Sequence, residues 1–357
     1  MKTITYYIKY GRLGASSRMR TLQFIPFLNQ VYSIKICELL SDEYVFKLYN
    51  KKPQNKFRIL KAYIKRYISV VKDKSDIIII EKELFPYFPY WVEKICLKNK
   101  KYIIDIDDAV FLNYERHRLF IVRKLFSQKF AGLFARAATV FAGSPYLVEV
   151  AKKYNKNTLY IPTVVNLKRY LILPVHSISL TKKPIVIGWI GTLPSLQHLY
   201  LLKAVFLKLA DKFDFELHII GVNFSLANAN LKIKNLPWHE DTEVNLLNAI
   251  DIGIMPLADT DFTRGKCAYK LIQYMACGKP VVASAVGANM AVVEHGVNGY
   301  LCQTDSEWFD YLSKLILEPK LRQEFGIKGR QKVEAQYSTE VITIKIKQAI
   351  ERILCVE

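Results

Sequence analysis

The feature that most constrains this chain is an alternation of short apolar runs with segments of helical periodicity. The apolar runs in SDIIIIEKEL (75–84) and KKYIIDIDDAV (100–110) are nearly continuous and end in charged residues. Strands of this kind lie in parallel sheets that are covered on both faces. In KFRILKAYIKRYISVVK (56–72), apolar side chains recur three and four residues apart, which predicts a helix. The alternation therefore predicts a doubly wound α/β architecture.

The alternation occurs twice along the 357 residues, a length that suffices for two domains with separate cores. It restarts after RYLILPVHSISLTKKP (169–184), which we interpret as a linker. We predict an N-terminal Rossmann-like domain at 1–175, a C-terminal Rossmann-like domain at 176–335, and a helix at 336–357 that packs on the N-terminal domain. Near the N-terminus, the pattern predicts a glycine–serine loop and then a helix from about Met19 to Asn29.

Positive charge is concentrated in the first half of the chain. Residues 1–175 contain 32 Lys+Arg and 13 Asp+Glu, whereas residues 176–357 contain 20 and 19. A one-sided positive field attracts nucleic acid, anionic lipid or phosphorylated substrates. The sequence lacks any RRM, KH or helix-turn-helix pattern, so we expect no nucleic-acid partner. Two basic amphipathic stretches, 56–72 and 115–130, indicate an anionic membrane surface, and solvated helix faces are the alternative.

Composition and motifs argue against several classes of protein. No run approaches the roughly 18 apolar residues of a membrane span, and the N-terminal segment lacks the pattern of a signal peptide. Six scattered cysteines without C-x-x-C spacing predict reduced thiols, with neither a disulfide framework nor a zinc site. We therefore expect a cytoplasmic protein that also associates with the inner face of the plasma membrane.

One stretch, TRGKCAYKLIQYMACGKPVVAS (263–284), places three cations around the start of a helix: Arg264, Lys266 and Lys270. A helix N-terminus already attracts anions through its free N–H groups and its dipole. Three further positive charges predict a ligand with several negative charges, such as a diphosphate. Neighbouring acidic side chains are the alternative partners for these cations.

Two other segments of the second half have the spacing of a nucleotide site. In IGWIGTLPSLQHL, Gly191 and Thr192 separate a strand from a helix, where a phosphate can approach backbone N–H groups. Gly221 ends a later strand, and the loop that contains Trp238 can stack on a nucleobase. The alternatives are an ordinary tight turn and a buried aromatic side chain.

These segments together resemble retaining nucleotide-sugar glycosyltransferases of the GT-B fold, large family 4, in its polysaccharide-building bacterial branch. MACGKPVVAS is the most specific match, and GASSRMR, IIDIDDAVF, YIPTVVN and HGVNGYLC are similar to further family segments. The resemblance covers most of the chain. It implies two Rossmann-like domains that face each other across a cleft, a nucleotide-sugar donor, a glycan or lipid-linked acceptor, and no metal or other cofactor.

The chain departs from the family pattern at the donor site. The family usually has two glutamates separated by seven residues, and the corresponding positions here are Gly265 and Gln273. The usual diphosphate cations after the glycine turn are also replaced, by Thr192 and by Gln197 or His198. We infer that the three cations of the 263–284 stretch substitute, and that the Gln273 amide hydrogen-bonds ribose. The predicted donor-binding residues are Gly191, Thr192, Gly221, Trp238, Arg264, Lys266, Cys267, Lys270 and Gln273.

The first half supplies the remaining candidates, in GRLGASSRMR and in the DIDD motif. Clustered carboxylates can bind Mg²⁺ or Mn²⁺, but the resemblance implies acceptor contact or general-base catalysis at a strand end. The alternatives are a serine cap with solvated arginines and a structural cap formed by the aspartates. The predicted catalytic residues are Asp107, Asp108 and Arg18, and the predicted acceptor-binding residues are Gly14, Ser17, Arg20 and Asp105.

The predicted function is retaining sugar transfer from a nucleotide diphosphate to a glycan or lipid-linked acceptor, in bacterial cell-surface polysaccharide synthesis. The alternatives are a nucleotide-sugar epimerase or hydrolase of the same fold, a degenerate inactive copy, and a nucleic-acid-binding protein.

Overall fold

A computed structural model describes residues 1–171, 184–227 and 230–355. The chain divides into two compact units. Unit 1 comprises Met1–Thr163, Gly265–Cys267 and Thr339–Glu357, and unit 2 comprises Val164–Arg264 and Ala268–Ser338. Within the described ranges, no helix is both long enough and apolar enough to cross a membrane.

Unit 1 is built on a parallel sheet of six strands in the order β2-β1-β3-β4-β5-β6. The central strands are almost wholly apolar and are buried on both faces, which explains their continuous hydrophobic runs. The strands are β1 (Thr3–Tyr10), β2 (Ser33–Leu40), β3 (Ile77–Glu81), β4 (Tyr102–Ile106), β5 (Thr139–Ala142) and β6 (Thr158–Tyr160).

Nine helices connect these strands, as a doubly wound sheet requires. They are α1 (Ala15–Arg20), α2 (Ile25–Leu28), α3 (Asp42–Tyr49), α4 (Lys56–Val71), α5 (Tyr90–Cys96), α6 (Leu112–Glu115), α7 (Phe120–Phe126), α8 (Lys129–Arg136) and α9 (Pro145–Lys152). The predicted glycine–serine loop followed by a single helix from Met19 to Asn29 is wrong, because α1 begins at Ala15 and a 3₁₀ turn at Leu22–Phe24 separates it from α2. Pro26 lies in the first turn of α2 and lacks the N–H that would continue an earlier helix.

Unit 2 repeats the architecture with the strand order β12-β11-β10-β7-β8-β9, again all parallel. The order reverses between β7 and β10, which is where doubly wound sheets usually bind ligands. The strands are β7 (Ile185–Ile190), β8 (Phe215–Ile220), β9 (Lys232–Leu236), β10 (Ile252–Met255), β11 (Val281–Ser284) and β12 (Gly299–Cys302).

The helices of unit 2 cover both faces of this sheet. They are α10 (Leu193–Leu199), α11 (Lys203–Ala210), α12 (Glu243–Asn248), α13 (Asp261–Arg264), α14 (Tyr269–Ala276), α15 (Asn289–Val292), α16 (Asp305–Leu317) and α17 (Pro319–Gln336), with a 3₁₀ turn at Tyr200–Leu202. The last helix, α18 (Thr339–Cys355), belongs to unit 1.

The predicted fold class is confirmed, because both units are parallel, doubly wound α/β sheets. The units meet along the chain at Thr163 and Val164, and again at Ser338 and Thr339. The prediction placed these boundaries at residues 175 and 335. Most of the predicted linker, residues 172–183, lies outside the described residues.

Candidate functional site

Arg20 and Asp105 form a buried ion pair at the carboxyl end of β4. Arg20 donates from Nε to Asp105 Oδ2 at 3.1 Å and from Nη2 to Asp105 Oδ1. Its Nη1 also donates to the carbonyl oxygen of Ile161 at 2.6 Å. The two ionic side chains expose only 2% and 7% of their surfaces. Both residues were expected to contact an acceptor, but here they bind each other and fix the end of α1 to the sheet, so the acceptor role stays a prediction.

Asp107 follows β4 and is held by two donors. Ser16 Oγ donates to Asp107 Oδ2 at 2.5 Å, and the Lys82 ammonium lies 3.0 Å from Oδ1. Burial alone would raise the pKa of Asp107, but the positive charges of Lys82 and Arg20 outweigh burial and lower it. Asp107 is therefore a fixed carboxylate whose two oxygens already have partners.

Asp108 is more accessible, with 33% of its side chain exposed, and Lys266 Nζ lies 3.9 Å from its Oδ1. Burial, followed by repulsion from Asp107, raises the pKa of Asp108. Neighbouring carboxyl groups whose pKa values shift in opposite directions can divide the roles of fixed charge and proton acceptor. Of the two aspartates, Asp108 is chemically the better candidate for a base.

Helix α1 binds a further carboxylate, Glu81 at the end of β3. Ser17 Oγ donates to Glu81 Oε2 at 2.6 Å, and burial raises the pKa of Glu81. Gly14 precedes the first residue of α1, and Arg18 donates from Nη1 to the carbonyl oxygen of Arg12 at 2.9 Å. The structure thus brings Ser17 to the carboxylate cluster of unit 1, which consists of Glu81, Asp105, Asp107 and Asp108. The acceptor and catalytic roles predicted for Gly14, Ser17 and Arg18 stay predictions.

Gly265–Cys267 belong to unit 1, although their chain neighbours belong to unit 2. A Cβ at Gly265 would lie 2.6 Å from the Cβ of Ala109. This close packing gives a physical reason for glycine at position 265. The glycosyltransferases of large family 4, which the sequence resembles, usually have glutamate at that position. Burial raises the pKa of the Cys267 thiol to about 11. Lys266 and Cys267 were predicted with the donor-binding residues, but the structure groups them with the aspartates of unit 1.

The turn after β7 in unit 2 is tightly packed around two glycines. A Cβ at Gly191 would lie 2.6 Å from Lys270 Nζ and 2.7 Å from Ser195 Oγ. A Cβ at Gly221 would lie 2.5 Å from the carbonyl oxygen of Gly191, and Gly221 has a φ of +96°, which L side chains rarely adopt. Close packing therefore explains glycine at both positions, and the N–H groups of Gly191 and Gly221 already donate to the carbonyl oxygens of Ile220 and Leu236.

Lys270 brings a positive charge to the Gly191 turn. It lies in the first turn of α14, with its Nζ 3.4 Å from Ser195 Oγ and 4.0 Å from the ring centroid of Trp189. Thr192 begins α10, and its N–H donates to Ser195 Oγ at 3.2 Å. An ammonium beside a turn that joins a strand to a helix can bind a phosphate group.

Arg264 is engaged by acidic side chains of its own loop. Its Nε and Nη2 donate to the two carboxylate oxygens of Asp259 at 2.7 and 2.9 Å, and its Nη1 lies 3.4 Å from Asp261 Oδ1. This is the alternative that the sequence left open for the cations of the stretch. The three cations therefore differ in environment, and Lys270 is the member that adjoins the Gly191 turn.

Gln273 belongs to a buried hydrogen-bonded network. Its Nε2 donates to the Tyr170 hydroxyl at 2.8 Å, and that hydroxyl donates to Glu243 Oε1 at 2.9 Å. Trp238 Nε1 donates to Glu243 Oε2 at 2.7 Å. Since Gln273 is only 3% exposed, its predicted contact with ribose stays a prediction, while the structure shows it bonded to protein. Burial raises the pKa of Tyr170 well above its ordinary value, so its hydroxyl remains a proton donor.

Sequence reasoning missed four residues of these two sites: Glu81, Lys82, Tyr170 and Glu243. Glu81 and Lys82 directly follow the apolar run of β3, which is the same signal that singled out the aspartates after β4. Tyr170 and Glu243 gave no comparable signal, because they meet only through the packing of segments 73 residues apart.

Comparison with known proteins finds similarity to one family over part of the chain. Residues 184–318 match the family described as Glycosyl transferases group 1. The human alpha-1,3/1,6-mannosyltransferase ALG2 is 33% identical over 82 residues, which are 23% of this chain and 19% of that protein. TuaH, a teichuronic acid biosynthesis glycosyltransferase of Bacillus subtilis (strain 168), is 27% identical over 177 residues, 45% of this chain and 44% of TuaH. The chain thus matches less than half the length of these curated relatives.

The fold is shared with solved structures along nearly the whole chain. Anabaena Alr3699/HepE, solved in complex with UDP-glucose, superposes with a TM-score of 0.71 over 99% of this chain and 100% of that one, at 17% identity. Sucrose-phosphate synthase from Thermosynechococcus elongatus gives a TM-score of 0.69 over 100% of both chains, at 15% identity. Two parallel six-stranded sheets give this chain the GT-B fold of these solved structures, and residues 184–318 are similar in sequence to the Glycosyl transferases group 1 family.

Proposed function

We propose that this protein is a glycosyltransferase that moves a sugar from a nucleotide-diphosphate donor to a glycan or lipid-linked acceptor. The observation that supports this most directly is Lys270, whose ammonium adjoins the Gly191 turn within the segment that matches the family. The complex of HepE with UDP-glucose, a relative in fold, supports a nucleotide-sugar as the class of donor.

The diphosphate is held by Lys270, beside the Gly191 turn. As the glycosidic bond to the donor breaks, negative charge grows on the leaving diphosphate, and a fixed ammonium stabilises that charge. Gln273 acts through Tyr170 and Glu243, which orient the half-buried Trp238 beside Gly221 for contact with the nucleobase.

Asp108 is the proposed base for the acceptor hydroxyl, and Asp107 is the fixed charge that helps to set its pKa. We propose that the sugar keeps its anomeric configuration through attack on the same face from which the leaving group departs. No covalent intermediate is invoked, so no side chain is assigned as a nucleophile.

The experiment is a screen of nucleotide-sugars against the full chain by thermal shift, followed by product analysis. A donor that binds only the native state raises the melting temperature. The expected result is one nucleotide-sugar that stabilises the protein, and a product whose anomeric configuration, read by NMR, matches that donor. Release of free sugar, or an isomerised donor, would instead identify a hydrolase or an epimerase, and binding without turnover would identify an inactive copy.

We further propose that the protein acts in cell-surface polysaccharide synthesis at an anionic membrane, a role supported by its similarity to TuaH, a teichuronic acid biosynthesis glycosyltransferase. Helix α4 supports membrane contact with a stripe of six exposed apolar side chains, which are 46–74% exposed: Phe57, Leu60, Ile64, Tyr67, Ile68 and Val71. Lysines flank the stripe, and such a helix lies in the plane of an anionic bilayer.

Replacement of two stripe residues tests the membrane role. Leu60→Ser with Ile64→Ser is expected to abolish co-sedimentation with anionic vesicles while the melting temperature is unchanged, because both side chains are exposed. Undiminished co-sedimentation of this double variant would remove α4 from the membrane contact.

A further inference from the structure

A groove in unit 1 lies apart from the strand ends that carry the carboxylate cluster. It has a volume of about 660 Å³ and runs between the edge strand β2, helix α3 and helix α4. That volume is within the range of sites for small molecules. Neither the sequence nor the proposed sugar transfer accounts for it.

The groove is lined by five cationic side chains and two carboxylates. One carboxylate, Glu43, is shared by Lys47 and Arg58 through contacts of 2.6 and 2.9 Å. The other cations of the lining are Lys35 on β2 and Lys65 and Arg66 on α4. The groove therefore keeps a net positive charge, which attracts an anionic ligand.

Arg66 is the unusual member of this lining. It is only 3% exposed, and its Nη2 donates to the carbonyl oxygens of Ile8 at 2.6 Å and Cys37 at 2.9 Å. Its Nη1 is buried without a hydrogen-bond partner, and across the described part of the chain no carboxylate forms an ion pair with Arg66. Burial lowers the pKa of Arg66 to about 10, and the guanidinium remains charged at neutral pH.

The charges of Glu81 and Glu93 act on Arg66 without forming an ion pair with it, and proteins usually pair a buried cation directly because an unpaired one is costly. Carbonyl oxygens satisfy individual N–H groups but do not neutralise the charge. An anion in the groove would supply the missing negative charge beside Arg66, with Lys35 and Lys65 at the rim. Phosphate suits this arrangement because it accepts several charge-assisted hydrogen bonds.

We propose that this groove binds a phosphate ester, with Arg66 as its buried counter-ion and Lys35 and Lys65 as the exposed cations. The phosphate comes either from a lipid headgroup or from a soluble ester. This site is independent of the proposed diphosphate site at Lys270, which lies in unit 2.

Two double variants with the same change of charge test the proposal. Lys35→Ala with Lys65→Ala removes two groove cations, while Lys152→Ala with Lys156→Ala removes two exposed cations of unit 1 that belong neither to the groove nor to α4. Both are made in the Lys270→Ala background, so that phosphate binding at the donor site does not contribute. Affinity for glycerol 3-phosphate is measured by calorimetry, and affinity for vesicles of phosphatidylcholine with a minority of phosphatidic acid is measured by co-sedimentation.

We expect the groove variant to bind the phosphate ester about tenfold or more weakly, because it lacks two charge-assisted contacts. The control variant keeps its affinity. Saturable binding of glycerol 3-phosphate identifies soluble esters as sufficient, and binding to vesicles alone identifies the lipid headgroup. Equal losses in the two double variants, or no binding in either assay, would overturn the proposal.

Arg66→Met gives a second measurement. This variant is expected to lose phosphate binding while circular dichroism and thermal unfolding show a folded chain. Undiminished binding by a folded Arg66→Met protein would also overturn the proposal. If this variant fails to unfold cooperatively, the exposed lysine pair still decides the matter, because Lys35 and Lys65 are on the surface.

Discussion

The carboxyl ends of the strands in unit 1 and in unit 2 differ in how their charges are balanced. In unit 1, each of the three aspartates around the end of β4 faces a cation, in the pairs Arg20–Asp105, Lys82–Asp107 and Lys266–Asp108. In unit 2, the turn after β7 contains Gly191, which packs against Gly221 after β8 and adjoins the Lys270 ammonium. The first arrangement is internally compensated, and the second is suited to an external anion.

The difference shows that a count of cations does not locate an anion site. Unit 1 contains most of the excess positive charge, yet Arg20 and Lys82 serve buried carboxylates there. In the 263–284 stretch, Arg264 is likewise occupied by Asp259. What distinguishes Lys270 is its place beside the Gly191 turn, which joins β7 to α10.

The largest effect is expected from breaking the most buried pair of unit 1. Arg20→Met leaves Asp105 buried and unpaired, which typically costs about 3–5 kcal/mol of unfolding free energy. Urea unfolding measures this cost, and Arg118→Met, an exposed arginine of the same unit, is the control. The double variant Arg20→Met with Asp105→Leu is expected to recover much of the loss. A stable single variant would show that the pair is not the compensated contact described here.

The next effect tests the open site of unit 2. Lys270→Ala is expected to lower the rate of sugar transfer by about 100- to 1000-fold, since it removes a fixed charge from the developing diphosphate. Arg264→Ala is the matched comparison within the same stretch, and we expect a much smaller loss because Asp259 already binds that guanidinium. Steady-state kinetics with the identified donor gives both values. Equal losses of rate in the two variants would instead support the prediction that Arg264 and Lys270 bind the diphosphate together.

The fold was predictable because it depends on local pattern. Runs such as IIII at 77–80 are apolar on both faces, and only a parallel sheet covered by helices on both sides buries them fully. The break between α1 and α2 was less visible, although Pro26 was a signal for it. Domain boundaries depend on which residues pack together, and composition alone does not give that information.

The site was predictable only in part, for a different reason. The positions of Asp107 and Asp108 followed from the strand before them, and the glycine turn followed from its own sequence. Their partners did not, because Lys82 and Lys266 reach the aspartates through tertiary structure. The glycine at position 265 likewise depends on tertiary packing, because Ala109 occupies the space that a side chain would need there.

A smaller effect concerns the pH dependence of transfer. If Asp108 is the base, it must be a carboxylate, so the rate rises with pH through a pKa that lies above that of an ordinary aspartate. Asp107→Asn removes the neighbouring negative charge and should move this acid limb to lower pH. Lys266→Met removes a nearby positive charge and should move it to higher pH. The kcat profile of each variant measures the shift, and Lys124→Met controls for a general loss of charge.

Opposite movements of the limb in the two variants would assign it to Asp108. If the acid limb stays at the same pH in both variants, a group other than Asp108 is the base. A limb that moves by the same amount in Lys124→Met would indicate a general effect of the positive field of unit 1, rather than a local effect at the carboxylates.

The smallest effect is expected from removal of metal ions. Among residues 1–171, 184–227 and 230–355, no three His, Cys, Asp or Glu side chains are grouped to hold a metal ion. The aspartates after β4 are clustered, but Arg20, Lys82 and Lys266 already supply positive charge to them. A divalent cation would have to displace an ammonium or a guanidinium to bind there, at a cost in lost charge-assisted bonds.

Treatment with EDTA is therefore expected to leave the rate of transfer unchanged, and added Mg²⁺ or Mn²⁺ should not raise it. The informative variant is Lys82→Met, which removes the cation that lies 3.0 Å from Asp107. If compensation by lysine is what makes a metal unnecessary, this variant loses activity, and a divalent cation restores part of it by taking the position of the ammonium. Loss of wild-type activity in EDTA, recovered by Mn²⁺, would show that the carboxylates of unit 1 serve an ion, and the contrast between a compensated unit 1 and an open unit 2 would no longer hold.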